Sequence, residues 1–138
     1  VYFCPYGFSN RKRKKECAVL PKLLWADLDE ADPRTIKFKP TIAFESSPGR
    51  YVALWMVDKT VSEELNHRMT KTVGADPSGW DLTQVLRVPG TFNYKYKTAP
   101  MVKLMWENNL IYKVKDLERK LACVSLQDGT IYAESHQL

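Results

Sequence analysis

The feature that most constrains this chain is a pair of short apolar runs set around one turn. Pro40 opens the first run, Thr41 to Phe44, and Tyr51 to Val57 forms the second. Between them stands Ser46-Ser47-Pro48-Gly49. Pro presets one backbone angle and Gly accepts the positive φ that tight turns need. Two strands around a short Pro-Gly loop read as a β-hairpin. A further apolar run, Leu23-Leu24-Trp25-Ala26, lies within Leu20 to Leu28 and reads as a buried strand that ends before Asp32-Pro33.

Other segments are weaker. Val1 to Phe8 alternates aromatic and small residues and predicts a strand, followed by a polar loop from Ser9 to Lys15. Met101 to Trp106 and Leu110 to Val114 predict two short strands forming a hairpin around Asn108-Asn109. Val61 to Val73 favours helix, with Thr60 as its cap and Gly74 as its stop. Asp81 to Leu86 predicts a short helix with Asp81 at its N-cap, closed by Pro89-Gly90, and Asp116 to Ala122 a last helix. The tail after Ser125 carries no clear pattern. The expected class is α+β: a single domain, mostly antiparallel sheet, with flanking helices.

At 138 residues, 44% of them hydrophobic, the chain has the material for one core. No stretch approaches the roughly 18 uninterrupted apolar residues of a membrane helix, so no membrane partner is expected. No signal peptide is evident, and a start at Val1 rather than Met leads us to expect a fragment of a longer protein. Cys4, Cys17 and Cys123 form no CxxC pair and stand without His ligands at metal spacing, so reduced thiols in the cytoplasm are the plain expectation.

The net charge of +5 favours an anionic partner, and its distribution says more. Arg11, Lys12, Arg13, Lys14 and Lys15 are consecutive, whereas Asp27, Asp29, Glu30 and Asp32 gather in another short stretch. The basic block reads as a solvated loop or as a template- or primer-binding element.

Asp27 and Asp29 directly follow the buried run. Residues two apart on a strand point the same way, so both carboxylates leave one face of one strand end. Such a pair is either a solvated acidic turn or a site for a hard divalent cation. The Ser46 to Arg50 turn is either an ordinary hairpin tip or a phosphate cradle, with backbone N–H groups at Ser46, Ser47 and Gly49 and a bidentate donor in Arg50. Asp81 either caps a helix or adds a third carboxylate. Arg87, Asn93 and Lys95 bring donors for phosphate or sugar oxygens, and Gly90 would let backbone approach a ligand. Trp25, Trp55, Trp80 and Trp106 read as core and His67 as helix surface, while Tyr51 and Tyr94 flank the proposed site.

The order Trp25-Ala26-Asp27-Leu28-Asp29, Ser46 to Tyr51 with Ala53-Leu54-Trp55, then Asp81-Leu82, Leu86-Arg87-Val88-Pro89-Gly90-Thr91 and Asn93-Tyr94-Lys95 resembles the archaeo-eukaryotic primase superfamily. It looks most like the primase-polymerase domains of phages and plasmids, with an RRM-like catalytic core. The likeness runs from about Leu23 to Lys95, and more faintly over Tyr2 to Phe8; the third segment is the most specific. The resemblance implies DNA primase or polymerase activity by residues 1–138, with Asp27, Asp29 and Asp81 holding Mg²⁺ or Mn²⁺ at the catalytic centre. It implies that Arg50, Arg87 and Lys95 contact an incoming NTP or dNTP. It further implies a DNA template and primer, a helicase domain or subunit as partner, and the cytoplasm, that of the host for a phage-encoded protein. One departure stands out: the family's second motif usually places a His after the Ser-Gly turn, where this chain has Val52. That departure leaves room for a non-catalytic replication initiator or nucleic-acid-binding domain on the same fold. A DxD pair also occurs in nucleotide-sugar glycosyltransferases, but those folds need a longer chain with parallel βαβ units, and Leu86 to Lys95 has no role there.

Overall fold

A computed structural model describes residues 1–12, 14–82, 84–124 and 131–132. Its elements run β1 (Tyr2–Phe3), β2 (Gly7–Phe8), a 3₁₀ turn (Lys15–Cys17), β3 (Ala18–Val19), β4 (Leu23–Asp29), β5 (Ile42–Ser47), β6 (Arg50–Val57), α1 (Glu63–Val73), β7 (Leu86–Arg87), β8 (Lys103–Glu107), β9 (Ile111–Tyr112), α2 (Val114–Lys120), β10 (Cys123–Val124) and β11 (Ile131–Tyr132). The fold is the expected α+β arrangement. Its main sheet has the order β4-β6-β5-β8, all antiparallel, with β9 pairing in parallel with β6.

The β5–β6 hairpin forms as expected, with Gly49 at φ 77 at its tip. Alternation along the strands gives the sheet two buried faces. Leu24, Ala26 and Leu28 of β4 join Ala53, Trp55 and Val57 of β6 in a core closed by Leu65, Met69 and Val73 of α1 and Leu117 of α2. Trp25, Phe44, Val52 and Leu54 face the other way, against Tyr6, Leu82, Leu86 and Val102. Asp27, two residues after Trp25 on β4, lies toward this second face beside Val52 and Leu86.

Helix α1 begins two residues later than expected. Ser62, not Thr60, is its cap, its hydroxyl accepting the Leu65 N–H at 3.2 Å, and Gly74 closes it in the left-handed conformation. The free edge of β4 is covered by side chain and loop. Trp25 N–H donates to the Asn66 side chain at 2.8 Å, Asn66 donates to the Trp80 carbonyl at 2.9 Å, and Asp76 N–H donates to the Asp27 carbonyl at 2.9 Å. Buried edge groups are thereby satisfied.

Three sequence expectations fail for identifiable reasons. Val1 to Phe8 is not one strand: Pro5, which has no N–H to give, separates β1, which pairs with β7, from β2, which pairs with β3. Asp81 to Leu86 is not a helix. Leu82 N–H is taken by the Glu63 carboxylate at 2.9 Å and the Gln84 carbonyl by the Tyr6 hydroxyl at 3.1 Å, and the chain runs on into β7. Met101 to Val114 is not a hairpin either. Asn108 accepts from Leu110 N–H and donates to the Pro40 carbonyl, which carries the chain across the start of β5, so β8 pairs with β5 and β9 with β6. Among the described residues, no helix is long and apolar enough to cross a membrane.

Candidate functional site

On the Trp25 face the sheet opens into a cavity of about 280 Å³ beyond the apolar cluster. Strand β4 ends in it. Asp27 pairs with Val52 of β6, after which a bulge shifts the register so that Asp29, at φ 56, faces Tyr51. Asp29 N–H turns back onto the Asp27 carboxylate at 3.3 Å, and both side chains line the cavity. Both carboxylates reach the cavity, but the bulge and the positive φ at Asp29, which alternation did not foresee, bring the second one there.

The cavity also receives Ser46, Ser47 and Arg50 from the hairpin, and Arg87, Asn93 and Lys95 from the chain after β7. Arg50 forms an ion pair with Asp29 and reaches Glu30 at 3.7 Å. Asn93 is buried. Its amide donates to the Ser46 carbonyl at 2.8 Å and its oxygen accepts Lys95 N–H at 3.1 Å, so it ties the third motif to the hairpin. Val52 is buried in the wall beside Asp27.

Burial is the main cause that holds the Asp27 carboxyl above its ordinary pKa; the Asp29 N–H bond opposes it, the charges of Asp76 and Asp29 reinforce it, and Lys95 opposes it more weakly. Asp76 was not anticipated from sequence. The chain leaving α1 crosses the β4 edge there, and Asp76 accepts from Ser78 N–H and its hydroxyl at 2.9 and 2.7 Å. The only trace in the sequence is its place just past the Gly74 helix stop. Tyr2, Val85 and Tyr96 also line the cavity without having been anticipated.

Several expected residues stand elsewhere. Asp81 does not line the cavity; its charge acts on Lys15, whose ammonium pairs with Glu63 at 2.7 Å. Gly49 N–H is engaged by the Glu45 carboxylate at 3.2 Å, and Gly90, at φ 89, turns the chain while donating to the Val102 carbonyl at 2.7 Å. The basic block forms the loop between β2 and β3, closed by Ser9 N–H on the Cys17 carbonyl at 2.7 Å. Arg11, Lys12, Lys14 and Lys15 are exposed on it, and Arg13 lies outside the described residues. Among the described residues, no group of three or more His, Cys, Asp or Glu is arranged to hold a metal ion by itself.

Comparison with known proteins agrees with this fold. The cyanophage S-2L primase-polymerase AEP domain has a similar structure, with a TM-score of 0.70 at 12% identity over 86% of this chain and 68% of that one. The catalytic domain of primase RepB', solved in complex with initiator DNA, gives a TM-score of 0.53 at 23% identity, covering 71% of this chain and 57% of that one. A replication protein of Clostridium perfringens is 37% identical over 71 residues, which is 51% of this chain but only 16% of that protein. The model of the RepB DNA-primase N-terminal domain matches residues 10–119, spanning the basic loop, both aspartates and the third motif, and this chain belongs to that family.

Proposed function

We propose that this chain is the nucleotidyl-transfer core of a primase-polymerase that joins nucleotides on a DNA template in phage or plasmid replication. The observation that carries this reading is the cavity itself. It gathers two carboxylates, Asp27 and Asp29, with three cations, Arg50, Arg87 and Lys95, at the end of one strand pair. A triphosphate needs such cations, and carboxylates in the same place suit the metal that accompanies it.

The donor set fits Mg²⁺ or Mn²⁺. Magnesium takes only one or two protein carboxylates and completes its shell with water and substrate phosphate. Burial first, and then the neighbouring charges of Asp76 and Asp29, raise the pKa of Asp27; a cation would relieve that charge repulsion. Asp27 and Asp29 would hold the metal, with a third carboxylate from Asp81, as the resemblance implies, or from Asp76. Bound there, it would neutralise charge at the α-phosphate and on the departing pyrophosphate.

The chain's own residues do the rest. Arg87 and Lys95 neutralise the triphosphate, and Arg50 exchanges its Asp29 partner for a phosphate oxygen. Ser46 and Ser47 border the phosphates. The primer 3′-hydroxyl gives up its proton to solvent, and its oxygen bonds to the α-phosphorus as the bond to the bridging oxygen of pyrophosphate breaks. The exposed Arg11–Lys15 loop supplies a surface for the DNA backbone, whose affinity falls as salt rises. RepB' is described in complex with initiator DNA, which supports DNA as partner here. A helicase domain or subunit would act beside this core, in the cytoplasm.

Extension of a labelled primer on a DNA template, with Mn²⁺ or Mg²⁺, tests the reading. Metal-dependent extension by the native chain that disappears in Asp27→Ala is the expected result. A folded native chain that binds DNA but never extends a primer would instead support a binding-only initiator domain. One observation favours that second reading: Val52, which cannot donate a hydrogen bond, occupies the cavity wall where the resemblance calls for His.

A further inference from the structure

Beside the cavity the surface carries an arrangement that the nucleotidyl-transfer reading leaves unused. A second, shallower cleft is lined by Val1, Tyr2, Arg87, Phe92, Tyr94 and Lys95. Tyr2, Arg87 and Lys95 belong to both depressions, so the two are continuous. Three aromatic rings stand open here: Tyr94 is 78% exposed, Tyr2 55% and Phe92 46%. Burial of such rings is the rule, and a cluster of exposed ones marks a binding surface.

The backbone holds these rings in place. Phe92 and Tyr94 flank buried Asn93, whose side chain is fastened to Ser46, and both rings stand exposed on either side of it. Phe92 pairs with Met101, and Asn93 N–H donates to the Pro100 carbonyl at 2.7 Å. The Phe92 and Tyr94 ring centroids lie 6.3 Å apart. Tyr2 is set opposite Arg87 by the β1–β7 pair, with the guanidinium 4.7 Å from its ring centroid. Among the described residues, no acidic one lines the cleft.

Aromatic faces interleaved with Arg and Lys, free of acids, match one chemistry: unpaired bases stacked on rings while cations follow the phosphates. We propose that Tyr2, Phe92 and Tyr94 form a stacking wall for a single-stranded segment of DNA that runs into the cavity. This rests on the reading of the cavity as a template-directed site, and it assigns the bases of the template to the wall and its backbone to Arg87 and Lys95. Duplex DNA, whose bases are already stacked, has no use for these rings.

The test is equilibrium binding of a fluorescein-labelled oligothymidylate of about a dozen nucleotides, a length within the usual reach of such surfaces. An abasic strand of the same length and a duplex are compared with it. Divalent metal and triphosphate are left out, which separates this test from catalysis. Tyr94→Ala should weaken oligothymidylate binding about fivefold or more, as loss of one stacking ring does. It should leave the abasic strand unchanged, and Tyr94→Phe should bind like the native chain. Tyr94 is so exposed that its replacement should not disturb folding, which a thermal melt checks. Unchanged oligothymidylate binding in Tyr94→Ala and Phe92→Ala would overturn the proposal, as would an equal loss on the abasic strand, or a duplex that competes as well as the single strand. A ring-dependent preference for single strands in a chain that never extends primers would leave the wall standing and sink the catalytic reading alone.

Discussion

The guanidinium of Arg50, at the start of β6, is paired with the carboxylate of Asp29 at the end of the neighbouring strand β4, and reaches Glu30 as well. Both partners are close to half exposed, at 43% and 49%, so water screens the pair and its net worth is small. A small worth is what an exchangeable partner needs. With Arg50→Gln, Asp29 loses its internal counter-charge. Divalent cation binding without nucleotide, read by Mn²⁺ titration, should tighten about two- to fivefold, the range of an exposed ion pair. Triphosphate binding should weaken in the same variant. Weaker metal binding in Arg50→Gln would show that the pair orients Asp29 rather than occupying it.

Asp27 makes a second prediction, about stability. Its pKa in the folded chain is raised above the ordinary 3.8, first by burial. An acid whose folded pKa is raised costs folding free energy wherever it must be ionised, and costs nothing where it is protonated in both states. Asp27→Asn should therefore raise the Tm near pH 7 in a metal-free buffer, while abolishing extension. The gain should shrink as pH falls through the folded pKa and vanish well below 3.8. Asn keeps an oxygen to accept the Asp29 N–H, so packing is little changed. A gain that persists undiminished at acid pH would mean that charge was not its cause.

What the sequence discloses follows from the range of the interactions. The β5–β6 hairpin, α1 and the carboxylate-bearing end of β4 were legible because alternation, turn residues and a helix stop act within a few residues. Arg87, Asn93 and Lys95 were legible as phosphate or sugar donors, but only the family resemblance put them beside Asp27, since nothing local brings them there. The segment from Asp81 to Leu86 was misread because its backbone groups are satisfied from far away: by Glu63 and by the Tyr6 hydroxyl. A side chain's local preference for helix cannot compete with buried partners of that kind. The aromatic wall was missed for a related reason. Tyr2 and Tyr94 are remote in sequence and meet only because β1 pairs with β7.

That misread segment raises the question of the third carboxylate. The resemblance points to Asp81, which acts on Lys15, whereas Asp76 acts on Asp27 and is anchored to its carbonyl. Asp76→Asn keeps the turn at Ser78, because an amide oxygen can accept the same bonds. We expect Asp76→Asn to weaken Mn²⁺ binding about fivefold or more, the effect of removing a nearby charge worth about 1 kcal/mol. Asp81→Asn should change it less than twofold, within the error of an exposed contact. The reverse order would return the third position to Asp81.

Asn93 offers the last prediction, because its side chain fastens the third motif to the hairpin. Both ends of the amide are used: Nδ2 donates to the Ser46 carbonyl and Oδ1 accepts from Lys95 N–H. The residue is 3% exposed, so its amide has no water with which to replace these partners. Asn93→Ala should lower stability by about 1–3 kcal/mol, the cost of leaving buried groups unpaired. It should also raise the triphosphate KM more than it lowers kcat, since Lys95 would lose its position while Asp27 and Asp29 keep theirs. Asn93→Asp separates the two bonds. It still accepts from Lys95 N–H but turns a carboxylate oxygen toward the Ser46 carbonyl, so it should be at least as destabilising as alanine. A KM unchanged in both variants would show that Lys95 holds its place through other contacts and that Asn93 serves the fold alone.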